Sequence, residues 1–154
     1  MGNFELNPFL YGSYGYIAYH DLRNAELLSQ HERWNASAVF IQQSIEKYLK
    51  HYINEKSPNG ATPDDLRGHK LGKLLKVSGI SQLVDLRCAL GEISDCYLFA
   101  RQPGEDYTEY EESDVLYYLK TAHTVEKYML SVFFEKVENK QKQYARTLVF
   151  GENK

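Results

Sequence analysis

The sequence has few cysteines, and it places them too far apart to cross-link. Cys88 and Cys96 are the two cysteines among 154 residues. If one helix carries both, their eight-residue separation corresponds to about 12 Å along the helix axis, too far for a disulfide. Two isolated thiols are typical of a reducing compartment, so we expect a cytoplasmic protein.

Long apolar runs and excess positive charge are also missing. No apolar stretch approaches the length needed to cross a membrane, and the N-terminus lacks the basic-then-apolar layout of a signal peptide. The net charge of −3 and the pI near 6.0 argue against a general nucleic-acid coat, although a local basic patch remains compatible with them. We therefore expect no membrane association.

The sequence carries no recognisable metal or nucleophile motif. It has neither a Gly-x-Ser-x-Gly motif nor a phosphate-binding loop. A single His-x-x-Glu pair, His123 and Glu126, lies in the predicted last helix, whereas di-metal helical bundles use Glu-x-x-His motifs on two helices and further carboxylates. A solvated helix face explains that pair better. We expect no metal and no cofactor.

Helical periodicity is the main structural signal. Apolar residues recur every three or four positions in five segments, which predict helices at about 17–31, 35–55, 69–77, 81–100 and 113–139. Asn35 is a plausible N-cap for the second helix. The predicted fold is all-α, an up-and-down helical bundle of about five helices. We divide the chain into an irregular arm (1–16), the bundle (17–139) and a basic, partly disordered C-terminal extension (140–154).

The second predicted helix carries a polar cluster close to its apolar face. Gln43, Glu46, Lys47 and Lys50 flank the apolar positions, so some of these groups should be partly buried. Glu46 and Lys50 have the spacing of an exposed i,i+4 pair, which would need no further partner. A partly buried Glu46 needs a cation, however, and Arg101 at the end of the fourth predicted helix is a candidate.

Three motifs resemble those of the HEPN domains, the higher eukaryotes and prokaryotes nucleotide-binding family. Residues 38–50 resemble that family's Ala-x-x-x-x-Gln-Gln-Ala-x-Glu-Lys-x-x-Lys signature. Residues 69–75 resemble its His-x-Leu-x-x-Leu-Leu segment, and residues 100–103 resemble its Ala-Arg-Tyr-Pro, with Gln102 in place of tyrosine. Their order and spacing agree over about residues 17–135.

The resemblance implies a helical bundle that is commonly dimeric and often encoded beside a nucleotidyltransferase as half of a toxin–antitoxin pair. Active members are metal-independent ribonucleases with an Arg-x(4–6)-His motif. Arg101 is the positional match, but Asp106, Tyr107 and Thr108 occupy the offsets at which the histidine would stand. A phenol is a poor general base at neutral pH, so the resemblance comes without the nuclease histidine.

These observations lead to one functional hypothesis and two alternatives. We expect a homodimeric, non-enzymatic module that binds a nucleotide or a nucleotidyltransferase partner. The expected ligand-binding residues are Gln43, Glu46, Lys47, Lys50, Arg101 and Tyr107. One alternative is a ribonuclease toxin acting on an RNA ligand, with Arg101 and Tyr107 as catalytic candidates and Asp106 or His69 as further ones. The other is a purely structural dimerisation scaffold.

Overall fold

A computed structural model describes the backbone of residues 6–150 and the side chains of residues 6–134 other than Asn59. Its α-helices are α1 (Tyr14–Gln30), α2 (Trp34–Lys56), α3 (Leu71–Ser78), α4 (Arg87–Ser94), α5 (Cys96–Phe99) and α6 (Glu112–Phe150). Short 3-10 helices occupy Pro58–Gly60, Pro63–Leu66 and Ser81–Leu86. Residues 6–150 contain no strand, and the predicted all-α helical bundle is confirmed.

Helix α2 is the centre of the bundle, because it contacts every other α-helix. Ile41, Ile45, Tyr48 and Leu49 on α2 are fully buried. Helices α1 and α2 lie close together, and Ala18, Ala25 and Ala38 are fully buried where they meet. Small side chains let two helix backbones come near each other, and two α2 serines use that proximity. Ser37 Oγ donates to Ala25 O at 2.7 Å and Ser44 Oγ donates to Ala18 O at 2.8 Å.

Two predicted boundaries differ from the structure for identifiable reasons. Helix α1 begins at Tyr14 rather than near residue 17 because the Ser13 hydroxyl accepts a hydrogen bond from Tyr16 N at 3.2 Å. The N-cap assigned to Asn35 is wrong, since α2 begins at Trp34 after Arg33. The Asn35 side chain instead bonds to the segment between α5 and α6.

The predicted fourth helix at 81–100 is broken into three pieces. Residues Ser81–Leu86 are 3-10 helix, α4 follows, and α5 forms a separate turn at Cys96–Phe99. The last helix is longer than predicted, since α6 continues to Phe150, through most of the segment assigned to a C-terminal extension. Residues 1–5 of the arm and 151–154 of that extension lie outside the described residues.

Two further sequence-based expectations concern thiols and membranes. Cys88 is exposed, Cys96 is buried, and both are free thiols. Within the described part of the chain, no helix combines the length and the apolar character that a transmembrane span requires.

Candidate functional site

Glu46 lies at the centre of a polar cluster on the side of α2 that faces α3. Its side chain is only 5% exposed. Oε1 is 2.7 Å from His69 Nδ1 and accepts from Gln42 Nε2 at 3.1 Å, while Oε2 accepts from Lys50 Nζ at 3.2 Å. The buried carboxylate thus has hydrogen-bond partners on both oxygens and one full cation beside it, which a buried charge requires.

His69 connects this buried cluster to the surface. It precedes α3, and its backbone carbonyl also accepts from Gln42 Nε2 at 3.2 Å. Its ring stacks on Tyr97 with centroids 3.8 Å apart and planes inclined by 14°, and 44% of its side chain is exposed. Glu46 holds Nδ1, so the second ring nitrogen, Nε2, is the one left to exchange a proton or contact a ligand.

Arg101 completes the exposed part of this arrangement. Its guanidinium carbon lies 4.7 Å from the centre of the Tyr97 ring, and its Nε donates to Tyr97 O at 2.9 Å. We name the exposed surface of His69, Tyr97 and Arg101 the stacked patch. It presents an imidazole, a phenol ring and a guanidinium together, above the buried charges of Glu46 and Lys50.

The predicted ion pair between Glu46 and Arg101 is wrong. Glu46 pairs with Lys50, one helical turn further along α2, and with His69. Arg101 follows the short helix α5 and folds back onto the helix's own residue Tyr97. The nearer partners therefore satisfy the carboxylate, and among residues with described side chains none forms an ion pair with Arg101.

Gln43 and Lys47, the other predicted ligand residues on α2, belong to a different contact. Lys47 Nζ donates to Asp21 Oδ2 on α1 at 2.8 Å and to Gln43 Oε1 at 3.0 Å. Burial raises the pKa of Asp21 above its usual value, and the hydrogen bond from Lys47 opposes that rise. This pair holds α1 against α2. Gln43 Nε2 also donates to Gln42 Oε1 at 2.6 Å, and Gln42 donates to Glu46. A chain of hydrogen bonds therefore connects this contact to the Glu46 cluster.

Tyr107 lies in the segment between α5 and α6, which Asn35 holds in place. Asn35 Nδ2 donates to Ala100 O at 3.0 Å and to Thr108 O at 2.8 Å, and Asn35 Oδ1 accepts from Tyr110 N at 2.8 Å. Tyr107 is 47% exposed, and it lines a small hollow of about 200 Å³ with residues of its own loop and with Leu98 and Phe99 of α5. Asn35 and its contacts were not among the predicted site residues.

Sequence reasoning also missed a buried polar group in the core. Glu126 of α6 is 5% exposed, so the prediction that it lies on a solvated face is wrong. Arg23 of α1 donates to both of its carboxylate oxygens, at 2.7 and 2.6 Å, and the Tyr48 hydroxyl donates to Oε2. Burial and the adjacent carboxylate raise the pKa of Tyr48, which keeps the hydroxyl a donor. No sequence pattern signals this contact, because its members are far apart along the chain.

Metal binding finds no support in the geometry. Among the residues with described side chains, no three of the histidine, cysteine, aspartate and glutamate side chains come together as a metal-binding group. His123 Nε2 instead lies 3.0 Å from Glu26 Oε1 on α1. Glu46 instead bonds to Gln42 and Lys50 of its own helix and to His69, and Glu126 bonds to Arg23 and Tyr48 on two other helices.

Comparison with known proteins assigns the bundle to a family. The sequence profile of the HEPN domain matches residues 14–133, which begins with α1 and includes the stacked patch and most of the described part of α6. Neither a curated protein nor a solved structure matches the chain. The match spans well over half of the sequence and agrees with the motifs at residues 38–50, 69–75 and 100–103. The chain belongs to the HEPN domain family.

Proposed function

We propose that this HEPN domain is a binding module that holds a nucleotide at the stacked patch. The observation that carries the proposal is the 3.8 Å stack of His69 on Tyr97 next to the Arg101 guanidinium. Aromatic and imidazole rings offer surfaces on which a base packs. A guanidinium binds phosphate oxygens through paired hydrogen bonds. The base and the phosphate of a nucleotide would thus each contact a complementary group, and these groups lie a few ångströms apart.

The distribution of charge also supports this proposal. Glu46 forms its ion pairs with Lys50 and His69, so this buried carboxylate does not pair with Arg101. The hydrogen bond from Arg101 Nε to Tyr97 O orients the guanidinium and leaves its two Nη groups to bind an anion. Glu105 and Asp106 in the following loop oppose the approach of additional phosphates, which favours a mononucleotide over an RNA strand.

Isothermal titration calorimetry with AMP and ATP tests the proposal, with thermal unfolding as a second readout. A ligand at about 100 times its Kd stabilises the native state by about 2.7 kcal/mol, which corresponds to a Tm increase of about 5 °C or more for a chain of this size. Arg101→Ala should remove most of this effect. Arg67→Ala is the matched control, because Arg67 is 83% exposed and pairs with the equally exposed Asp64. Equal binding by both variants, or none by the wild type, would refute the proposal.

A second part of the proposal concerns partners. We propose that the domain forms a homodimer and works beside a nucleotidyltransferase of the toxin–antitoxin type, as its family suggests. The exposed apolar side chains of Leu98, Tyr107, Leu116 and Tyr117, each about half exposed, support an interface. Sedimentation that gives a monomer at micromolar concentration would contradict the dimer. A neighbouring nucleotidyltransferase gene, and co-purification of its product, would test the second partner.

The geometry of Glu46 and His69 favours one alternative function, metal-independent RNA cleavage. A carboxylate 2.7 Å from Nδ1 orients the imidazole ring, which is how histidine bases are commonly positioned. Nε2 would take the proton of a ribose 2′-hydroxyl as that oxygen attacks the phosphorus and the 5′-oxygen leaves. Arg101 would stabilise the charge on the phosphate.

Incubation with labelled RNA in the presence of a chelator distinguishes this alternative from the binding module. Cleavage to 2′,3′-cyclic phosphate ends, lost in His69→Ala and in Arg101→Ala but retained in His31→Ala, would establish a nuclease. His31 is a suitable control because it is exposed at the C-terminal end of α1. An intact substrate after prolonged incubation with the wild type would exclude the nuclease and leave the binding module.

A further inference from the structure

A second concave surface lies on the outer side of α3, where α3 meets the 3-10 helix Ser81–Leu86. It has a volume of about 540 Å³, within the range of small-molecule sites in proteins. Leu75, Ile80 and Val84 provide its apolar lining. Leu75 and Ile80 are nearly buried, whereas Val84 is 44% exposed. We name this cavity the α3 hollow; none of the residues of the stacked patch lines it.

Two cations stand at the α3 hollow without acidic partners. Lys76 and Arg87 both line it, and its lining includes no carboxylate. Neither residue forms an ion pair or a side-chain hydrogen bond with any residue whose side chain the structure describes. Two positive side chains beside an apolar lining, without an ion pair to any described residue, complement a ligand that is itself apolar and negatively charged.

A glycine leaves the hollow open. Gly72 on α3 lines it, and a Cβ placed there would meet no atom within 4 Å. Gly79, which ends α3, lines it too and likewise has no side chain to fill it. Because Gly72 is part of the lining, we expect a large side chain at this position to narrow the hollow.

We propose that the α3 hollow binds a small organic anion, a carboxylate or sulfonate joined to an apolar body. The apolar body packs on Leu75, Ile80 and Val84, and the anionic group lies between Lys76 and Arg87. Such a ligand combines burial of apolar surface with charge-assisted hydrogen bonds, and each component is needed for appreciable affinity. This site is separate from the nucleotide site proposed above and does not depend on it.

Fluorescence titration with anilinonaphthalene sulfonate tests the proposal, because this probe has the stated chemistry and brightens in apolar surroundings. We expect saturable binding that naphthoate displaces. Gly72→Leu should fill the hollow and weaken binding about tenfold or more. Gly91→Leu is the matched control, since Gly91 is also an exposed helical glycine with open space around its Cβ position. Circular dichroism of both variants verifies that they fold.

Charge reversal supplies an independent measurement. Lys76→Glu with Arg87→Glu should weaken binding about a hundredfold or more, since a hydrogen bond to each charged group contributes about a factor of ten and the two factors multiply. Lys120→Glu with Lys127→Glu changes the net charge equally on exposed positions of α6 and should leave binding intact. The proposal fails if Gly72→Leu binds the probe like Gly91→Leu, or if the two charge-reversed proteins bind alike. Displacement of the probe by AMP as readily as by naphthoate would also overturn it, because the hollow would then be a nucleotide site.

Discussion

Removing Arg23 should expose how much the bundle depends on a charge pair between its first and last helices. The Arg23→Met substitution keeps a long, flexible apolar stem and deletes the guanidinium. Of the hydrogen bonds described for the Glu126 carboxylate, the one from the Tyr48 hydroxyl then remains, in a side chain that is 7% exposed. Removing one partner of a buried ion pair costs about 3–5 kcal/mol. Because the Arg23 side chain is 30% exposed, we expect the lower end of that range, about 3 kcal/mol.

Urea denaturation at neutral pH measures this loss as a lower midpoint with an unchanged slope. Adding Glu126→Gln to Arg23→Met should recover much of the stability, since the double variant no longer buries an unpaired charge. Arg67→Met is the control, because its side chain is 83% exposed, and it should change stability by about 0.5 kcal/mol or less. If Arg23→Met unfolds at the same urea concentration as Arg67→Met, the reasoning is refuted.

Three further predictions concern pH, packing and thiol access. Burial lowers the pKa of His51, whose Nδ1 accepts a hydrogen bond from Gly15 N at 3.0 Å. The contribution of neutral His51 to stability should therefore be fully present above pH about 6.5. It should decrease on acidification, because the unfolded chain takes up this proton first. Between pH 7.5 and 5.5, the free energy of unfolding should decrease less in His51→Asn than in the wild type. Equal decreases in the two proteins would contradict this prediction. Gly15→Ala should lower stability by about 1–3 kcal/mol, and with it Tm, since the added Cβ would clash with the Phe9 ring. Gly91→Ala, which has open space around the Cβ position, should raise Tm slightly. In a thiol titration, Cys88 should react in the native protein. Cys96, whose pKa burial raises to about 11, should react only in denaturant. Reaction of both thiols in the native protein would refute this prediction.

The general arrangement of helices was predictable because it follows from local periodicity. Apolar spacing located α1, α2 and most of α6, and the partial burial expected for the polar residues of α2 is confirmed at Glu46 and Lys50, which are 3% and 8% exposed. The fourth helix was harder to predict. Its apolar spacing continues from residue 83 to 100, yet the backbone changes from 3-10 to α at Arg87 and breaks again before Cys96. Spacing alone does not distinguish a continuous helix from short helical pieces that bury the same side.

Partner choice within the site could not be read from the sequence. Glu46 needed a cation, for which Lys50 and Arg101 were the candidates in the sequence, and the structure adds His69. Which of them reaches the carboxylate depends on how α3 and α5 sit against α2, a property of the assembled bundle. The same holds for Glu126, whose partner Arg23 is 103 residues away. His69 was considered only as an alternative, although it opens one of the three family motifs.

Three of the hydrogen bonds of Asn35 bear on how the segment between α5 and α6 could change in length. They hold Ala100, Thr108 and Tyr110 to the start of α2, so both ends of the intervening loop are attached to the same helix. For a loop with fixed ends, doubling its length costs only about 0.6 kcal/mol in closure entropy. One or two residues inserted or deleted between Gln102 and Asp106 should therefore leave α6 in place. Over evolutionary time, such a loop can vary its spacing after Arg101 while the bundle beneath it stays the same.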